Sequence, residues 1–321
     1  MNALPLRQLA TPDNFDEAGY LAANPDVRAA VVSGGFRSGR EHFQKHGFAE
    51  SRYLQADNAL LAAAKARKLE RIAPLLRHDM PLVRRADHYD FLSDALRAEC
   101  NIVDTDAVSS NDYDGKVTAL IERHADGLVL DCGAGRRGTY YDNVVNFEIV
   151  DYDTTDVRGV GESLPFADGA FDAVISIAVL EHVRDPFRCA AELVRVLKPG
   201  GELVCCVPFL QPYHGYPHHY YNMTHQGLRA LFERDLDVES VEVYDSVLPI
   251  WSLTWMLQSW ADGLSGTTRR DFLDMTVADL IRAPASYLGA PFVRELPAAK
   301  NHELASANVL TARKRPQGSA S

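Results

Sequence analysis

Leu128-Val129-Leu130-Asp131-Cys132-Gly133-Ala134-Gly135-Arg136-Arg137-Gly138 is the stretch that decides how this chain folds. Its apolar run, Leu128–Asp131, predicts a short buried strand. The glycines at 133, 135 and 138 follow directly and spell G-x-G-x-x-G. Asp151 lies 20 residues beyond Asp131. On these features alone a nicotinamide dinucleotide fits. Asp131 argues the other way. A carboxylate aimed at the crevice would repel a pyrophosphate, whereas it would attract a ligand with a cationic end.

Downstream, Glu162-Ser163-Leu164-Pro165-Phe166 precedes Asp168-Gly169-Ala170-Phe171-Asp172, a tight turn feeding another strand. Leu180-Glu181-His182-Val183 and Leu197-Lys198-Pro199-Gly200-Gly201 come next. Together with the glycine loop these ordered blocks resemble the class I methyltransferase series, which binds S-adenosylmethionine, a ligand carrying an ammonium and a sulfonium. The resemblance implies that Asp131, Gly133, Ala134 and Gly135 line the methionine part and that Asp151 takes both ribose hydroxyls. It puts Glu162 near the adenine amino group and Ile177 and Ala178 beside the cofactor. Tyr152, Ser163, Leu164 and His182 complete the expected cofactor-binding set. One departure stands out: where the series has its third glycine, this chain has Arg137, preceded by Arg136. The arginines either meet a phosphate or carboxylate on the acceptor or form an exposed pair.

Around this loop the pattern predicts a helix over 117–124, strands over 128–131, 147–151, 173–176 and 203–207, and an amphipathic helix over 186–197. Strands alternating with helices imply a doubly wound, mostly parallel α/β sheet. Segments 241–247 and 307–312 are expected to be the last two strands of a seven-stranded Rossmann-like sheet, separated by a helical insertion over 250–300. Trp251, Trp255, Met256 and Trp260 in that insertion suggest a core-facing or lid helix, or a surface for a homodimer.

After the fourth of these strands comes Pro208-Phe209-Leu210-Gln211-Pro212-Tyr213-His214-Gly215-Tyr216-Pro217-His218-His219-Tyr220-Tyr221. Loops at the carboxyl ends of strands border the ligand crevice, so this one is placed to hold an acceptor. A hydroxyl acceptor must lose a proton, which imidazole can take near neutral pH. His214, His218 and His219 are the candidate bases, and Tyr213, Tyr216, Tyr220 and Tyr221 the candidate acceptor contacts with Arg136 and Arg137. A metal held by the histidines competes, but Pro217 argues for a loop, with no helix to fix ligand spacing, so no metal is expected. The loop resembles a PFLQPYHGYPHDYYR pattern in a subgroup of bacterial methyltransferases, some from polysaccharide gene neighbourhoods. His219 stands where that pattern has Asp, and Asn222 where it has Arg.

The first 56 residues read as a small helical module. Tyr20, Leu21, Asn24, Pro25, Asp26, Val27, His42, Phe43 and Gly47 resemble a YLxxNPDV…HFxxxG module of bacterial surface-polysaccharide proteins. Residues 57–110 read as a helical linker, 111–313 as the methyltransferase-like domain and 314–321 as a polar tail. The formal net charge of −11 disfavours tracking a nucleic-acid backbone. No signal peptide or membrane-spanning run is evident, and the five cysteines lack disulfide or zinc spacing, so a cytoplasmic location is expected. The leading expectation is methyl transfer to oxygen on a carbohydrate-related acceptor. Alternatives are a small metabolite, lipid or amine acceptor, a non-catalytic cofactor-binding scaffold, and, disfavoured by Asp131, a dehydrogenase.

Overall fold

The computed structural model of this chain describes residues 3–55, 58–105, 112–215 and 217–314. Two compact units are present. One comprises Met1–Pro208 with Tyr216–Val241, the other Phe209–Gly215 with Glu242–Ser321.

The chain enters through β1 (Ala3–Pro5) and β2 (Arg7–Leu9), then α1 (Glu17–Ala23), α2 (Pro25–Val32) and α3 (Gly39–His42), and closes the module with β3 (Tyr53–Gln55) against β2. Local sequence sets these boundaries. Asp16 caps α1 through the Gly19 N–H, Pro25 opens α2 where a missing N–H costs nothing, and Ser38 caps α3 through the Glu41 N–H. Tyr20, Val27, Phe43 and Leu54 form the module's core. Asn24 ties the turn by donating to the carbonyls of Tyr20 and Tyr53. Tyr20 Oη and His42 Nδ1 lie 3.0 Å apart. A Cβ at Gly47 would sit 1.9 Å from Tyr20 Oη, so that glycine is required by close approach.

Helix α4 (Asn58–Ile72) is followed by two very short strands, β4 (Val83–Arg84) and β5 (Tyr89–Asp90), and by α5 (Asp94–Cys100). Helix α6 (Gly115–Arg123) then leads into β6 (Val129–Cys132), β7 (Thr139–Tyr141), β8 (Val144–Glu148), β9 (Val157–Arg158) and β10 (Phe171–Ile177). Helix α7 (Pro186–Val196), β11 (Leu197–Cys206) and α8 (His225–Phe232) complete the unit. The main sheet has seven strands in the order β11-β10-β6-β8-β9-β5-β4, all parallel except the β4–β5 pair. β1 pairs separately with β7.

The expected doubly wound sheet is therefore present, with a different membership. Segments 241–247 and 307–312 are not strands; Val243, Val309 and Leu310 are exposed there. Strand propensity expresses itself only against a partner to pack on, and these segments have no ladder among the described residues. The seventh and sixth positions are filled instead by β4 and β5, from the stretch expected to be a linker. Tyr89 pairs with Val157 and Asp90 with Arg158. The helical part of the expected linker is confined to α4 and α5 apart from a short turn at Ala73–Leu75.

Both sheet faces are covered, as a parallel sheet requires. Because strand residues alternate in direction, Leu130 and Val174 join one core with Leu69, Ile72, Phe147 and Leu193, while Val129 and Ile175 join another with Val117, Leu120 and Ile121. Helix α7 buries Pro186, Cys189, Ala190, Leu193 and Val196, an i, i+3, i+4, i+7 stripe. The Lys198-Pro199-Gly200-Gly201 stretch then shifts the register of β11. Leu197 faces Phe171, but Glu202 faces Ala173.

In the second unit, α9 (Pro249–Gly263) is followed by α10 (Gly266–Leu273), α11 (Val277–Leu280), α12 (Pro291–Arg294) and α13 (Ala298–Glu303). The tryptophans do not act as one stripe. Trp260 packs with Phe272 and Phe292, whereas Trp251 and Trp255 are exposed.

Candidate cofactor site and acceptor loop

At the carboxyl end of β6 the chain turns sharply. Gly133 and Gly135 have φ of 79° and 63°, and a Cβ on Gly133 would lie 2.4 Å from a Val179 methyl carbon. The Gly133 and Ala134 N–H groups donate to the Phe147 carbonyl, which holds the turn against β8. The Gly135 N–H donates to Glu148 Oε2 at 2.7 Å.

Asp131 is wholly buried beside this turn. Its Oδ2 accepts from Arg137 Nε at 3.0 Å, from Arg137 Nη2 at 2.6 Å and from the Tyr113 hydroxyl. Its Oδ1 has no hydrogen-bond partner among the described residues. A buried carboxylate oxygen with no donor is costly and marks a place built for a cation or N–H group. Burial raises the Tyr113 hydroxyl well above its ordinary value, and the charge of Asp131 adds to it. Burial pulls Arg137 down, but Asp131 more than compensates, so it stays a firm cation.

Strand β8 ends at Glu148, not at 151 as the sequence spacing suggested. Glu148 Oε1 accepts from the Ile149 N–H at 2.8 Å, opposite the Gly135 contact on Oε2. Burial raises this carboxyl above its ordinary value, the Gly135, Ile149 and Val150 N–H groups oppose the rise, and Asp131 adds to it. Asp151 is exposed, with an oxygen 3.5 Å from His88 Nδ1, and Tyr152 belongs to the following turn. Glu148 was not singled out from the sequence, because Asn146 interrupts the apolar residues of the strand that it ends.

The other expected positions separate. Glu162 is buried, and its Oε1 accepts from the Arg184 N–H at 3.1 Å, anchoring the start of α7. It also borders a cavity of about 450 Å³ with Cys100, Arg188 and Tyr221. Leu164 packs in the sheet core, and the Ser163 N–H donates to the Val160 carbonyl. Ile177 ends β10, and the exposed Ala178 has a φ of 55°, a conformation strained for any residue but glycine.

Neither arginine of the loop is an exposed one. Arg136 is paired with Asp153, Nη2 to Oδ2 at 2.8 Å, and also reaches Gln55 of β3. Arg137 is 8% exposed and committed to Asp131.

The expected histidine cluster is divided between the units. In the first, His182 Nδ1 lies 2.6 Å from the His218 carbonyl, and the His182 and His219 rings are 5.6 Å apart. His218 Nε2 lies 3.0 Å from the Asn101 carbonyl, and Asn101 Nδ2 donates to Tyr220 Oη. The Tyr220 N–H donates to the Glu181 carbonyl, stitching the loop to the Leu180–Val183 block. The two positions that depart from the loop pattern are bonded to each other. His219 Nε2 lies 2.7 Å from Asn222 Oδ1. In the second unit, His214 Nδ1 lies 2.8 Å from the Pro212 carbonyl and its ring packs on Trp255, while the Tyr213 N–H donates to the Glu303 carbonyl. Tyr216 lies outside the described residues.

Residues 131–205 match the family model described as a methyltransferase domain. The chain is 47% identical over 77 residues to an uncharacterized methyltransferase of Mycobacterium sp. (strain JLS), covering 23% of this chain and 29% of that one. It is 32% identical over 132 residues to a demethylmenaquinone methyltransferase of Renibacterium salmoninarum, covering 41% of this chain and 49% of that one. It thus spans less than half the length of both relatives. Among solved structures it is similar to a Burkholderia thailandensis 1,6-didemethyltoxoflavin-N1-methyltransferase crystallised with S-adenosylhomocysteine, at 14% identity over 71% of this chain and 83% of that one, with a TM-score of 0.27. Residues 131–205, within the α/β unit, thus carry the similarity to a methyltransferase domain, a class whose cofactor is S-adenosylmethionine. The donor set fits that cofactor: an unpartnered buried carboxylate oxygen for its ammonium, a glycine turn that no Cβ could occupy, and a second acid at the neighbouring strand end.

Proposed function

We propose that this protein transfers a methyl group from S-adenosylmethionine to oxygen on a carbohydrate-related acceptor. The observation that carries the transfer reading is Asp131, wholly buried at the carboxyl end of the central strand with Oδ1 lacking a donor. When bound, the cofactor supplies an electrophilic methyl group on a positively charged sulfur. Asp131 holds the ammonium end, and Glu148 takes the ribose hydroxyls chiefly on Oε2, which accepts only the Gly135 N–H, whereas Oε1 already accepts from the Ile149 and Val150 N–H groups.

The acceptor hydroxyl must lose its proton as its oxygen attacks. His214, His218 and His219 are the candidate bases. In His219, Nε2 donates to Asn222 Oδ1, so the neutral ring carries its basic lone pair on Nδ1. In His214, Nδ1 donates to the Pro212 carbonyl, so its basic nitrogen is Nε2. Tyr213, Tyr220 and Tyr221 offer aromatic faces and hydroxyls suited to a sugar ring. The polysaccharide reading draws on these aromatics and on the resemblance of the N-terminal module. On this reading the protein acts in the cytoplasm. Among the described residues no helix is long and apolar enough to cross a membrane. The Renibacterium relative favours a second reading, a demethylmenaquinone acceptor.

Calorimetric titration with S-adenosylhomocysteine beside NAD tests the cofactor. Saturable binding of the first alone supports the reading, and NAD binding alone sinks it. A radiolabelled methyl-transfer panel of sugar nucleotides, oligosaccharides and demethylmenaquinone then decides the acceptor.

A further inference from the structure

The position of Arg137 has a consequence for which ligands can enter. Asp131 is 0% exposed, so its carboxylate must be uncovered before a ligand atom can reach it, and the side chains bonded to it are Arg137 and Tyr113, both on Oδ2. The Arg137 guanidinium lies 4.1 Å over the Tyr113 ring and spends two donors on one carboxylate oxygen. Its backbone is fixed separately, the N–H donating to Thr154 Oγ1 at 3.2 Å. A long side chain on a fixed backbone can swing without moving the loop.

We propose that Arg137 is a built-in stand-in for the cationic end of the cofactor, so that a ligand seats its ammonium on Asp131 only by displacing the guanidinium. This rests on the cofactor reading above and deepens it by making Arg137 a specificity-determining residue. The exchange swaps one cation for another on a buried carboxylate, which can never be left bare cheaply. A ligand such as methylthioadenosine, which lacks the amino-acid end, binds with Arg137 undisturbed. The ammonium of S-adenosylhomocysteine therefore gains little, because what it wins from Asp131 it loses in displacing Arg137.

The test is calorimetric affinity for S-adenosylhomocysteine and methylthioadenosine in the wild type, Arg137→Gln and Arg137→Lys. The wild type is expected to bind the two within about tenfold of each other. Arg137→Gln, with no cation to displace, is expected to widen the ratio by about tenfold or more through tighter S-adenosylhomocysteine binding, and Arg137→Lys to keep the wild-type ratio. Weaker S-adenosylhomocysteine binding by Arg137→Gln, with methylthioadenosine unchanged, overturns the exchange and makes the arginine a grip on the ligand's carboxylate. Thermal unfolding checks that the variant folds. If it does not, the wild-type ratio decides, and a hundredfold preference for S-adenosylhomocysteine overturns the proposal. Wild-type protein that binds neither ligand overturns this inference and the cofactor reading together, whereas binding with the wrong ratio overturns only the inference.

Discussion

Lys68 Nζ lies 3.0 Å from Asp156 Oδ2 with both side chains buried, joining helix α4 to the residue just before β9. Lys68 also donates to the Val144 carbonyl and sits 3.5 Å above the Tyr140 ring, whose hydroxyl donates to the other Asp156 oxygen. Removing one member of such a pair leaves a charge stranded, so Lys68→Met should cost about 3–5 kcal/mol near neutral pH, read from denaturant midpoints. An unchanged midpoint would mean that the pair contributes nothing to folding.

The same lysine gives a pH dependence. Burial pushes Lys68 down to about 8, against the opposing charge of Asp156, whereas in the unfolded chain it titrates near 10.5. Between those values the unfolded chain binds more protons, so this group's contribution to stability rises with pH and is least favourable below 8. Buried cysteines and tyrosines act oppositely at high pH, so the informative quantity is the stability of wild type minus that of Lys68→Met. It should grow in favour of the wild type between pH 8 and 10. A difference flat across that window would place the folded lysine at its ordinary value.

Glu148 and Asp151 can be told apart by binding. Glu148→Ala should weaken S-adenosylhomocysteine at least tenfold, about the loss of one charged hydrogen-bond acceptor. Asp151→Ala should change it less than about threefold, since an exposed acid is screened by water. The reverse pattern would return the ribose role to Asp151.

His214→Ala and His219→Ala should each leave S-adenosylhomocysteine affinity unaltered. The variant that removes the base should lose about 10²–10⁴-fold in turnover. Full activity in both would send the search to His218.

In the N-terminal module, Gly47→Ala should destabilise by about 1–3 kcal/mol through overpacking against Tyr20. In a Tyr20→Phe background the added cost should shrink, because the atom met at 1.9 Å is the hydroxyl. Strict additivity in thermal unfolding would show that the clash is relieved elsewhere.

What could be read ahead of the structure was what short-range pattern encodes. The glycine turn and Asp131 follow a buried apolar run, and α7 shows its stripe directly. β8 was placed three residues late because Asn143 and Asn146 break the apolar pattern. Both are buried with their amide N–H groups donating to carbonyls, Asn146 to Thr154 and Asn143 to Ile121 and His124, which no periodicity reveals. β4 and β5 have two residues each, too few to carry a period. Segments 241–247 and 307–312 carry the composition of strands without a neighbour to realise it. The pairing of Arg137 with Asp131 depends on how a side chain folds back over its own loop, beyond the reach of spacing rules.

The placement of β5 beside β9 also has a temporal side. During synthesis, Tyr89 leaves the ribosome well before Val157, the residue it must pair with. Until then, the early edge of the sheet and the α4 residues that pack under it have no surface to settle on. Because loop closure over such a separation is slow, assembly should wait for the centre of the sheet and then recruit the earlier segment backwards. A shortened protein starting at the glycine loop would therefore lack a flank of its own sheet, and the N-terminal third behaves as part of the domain's folding unit.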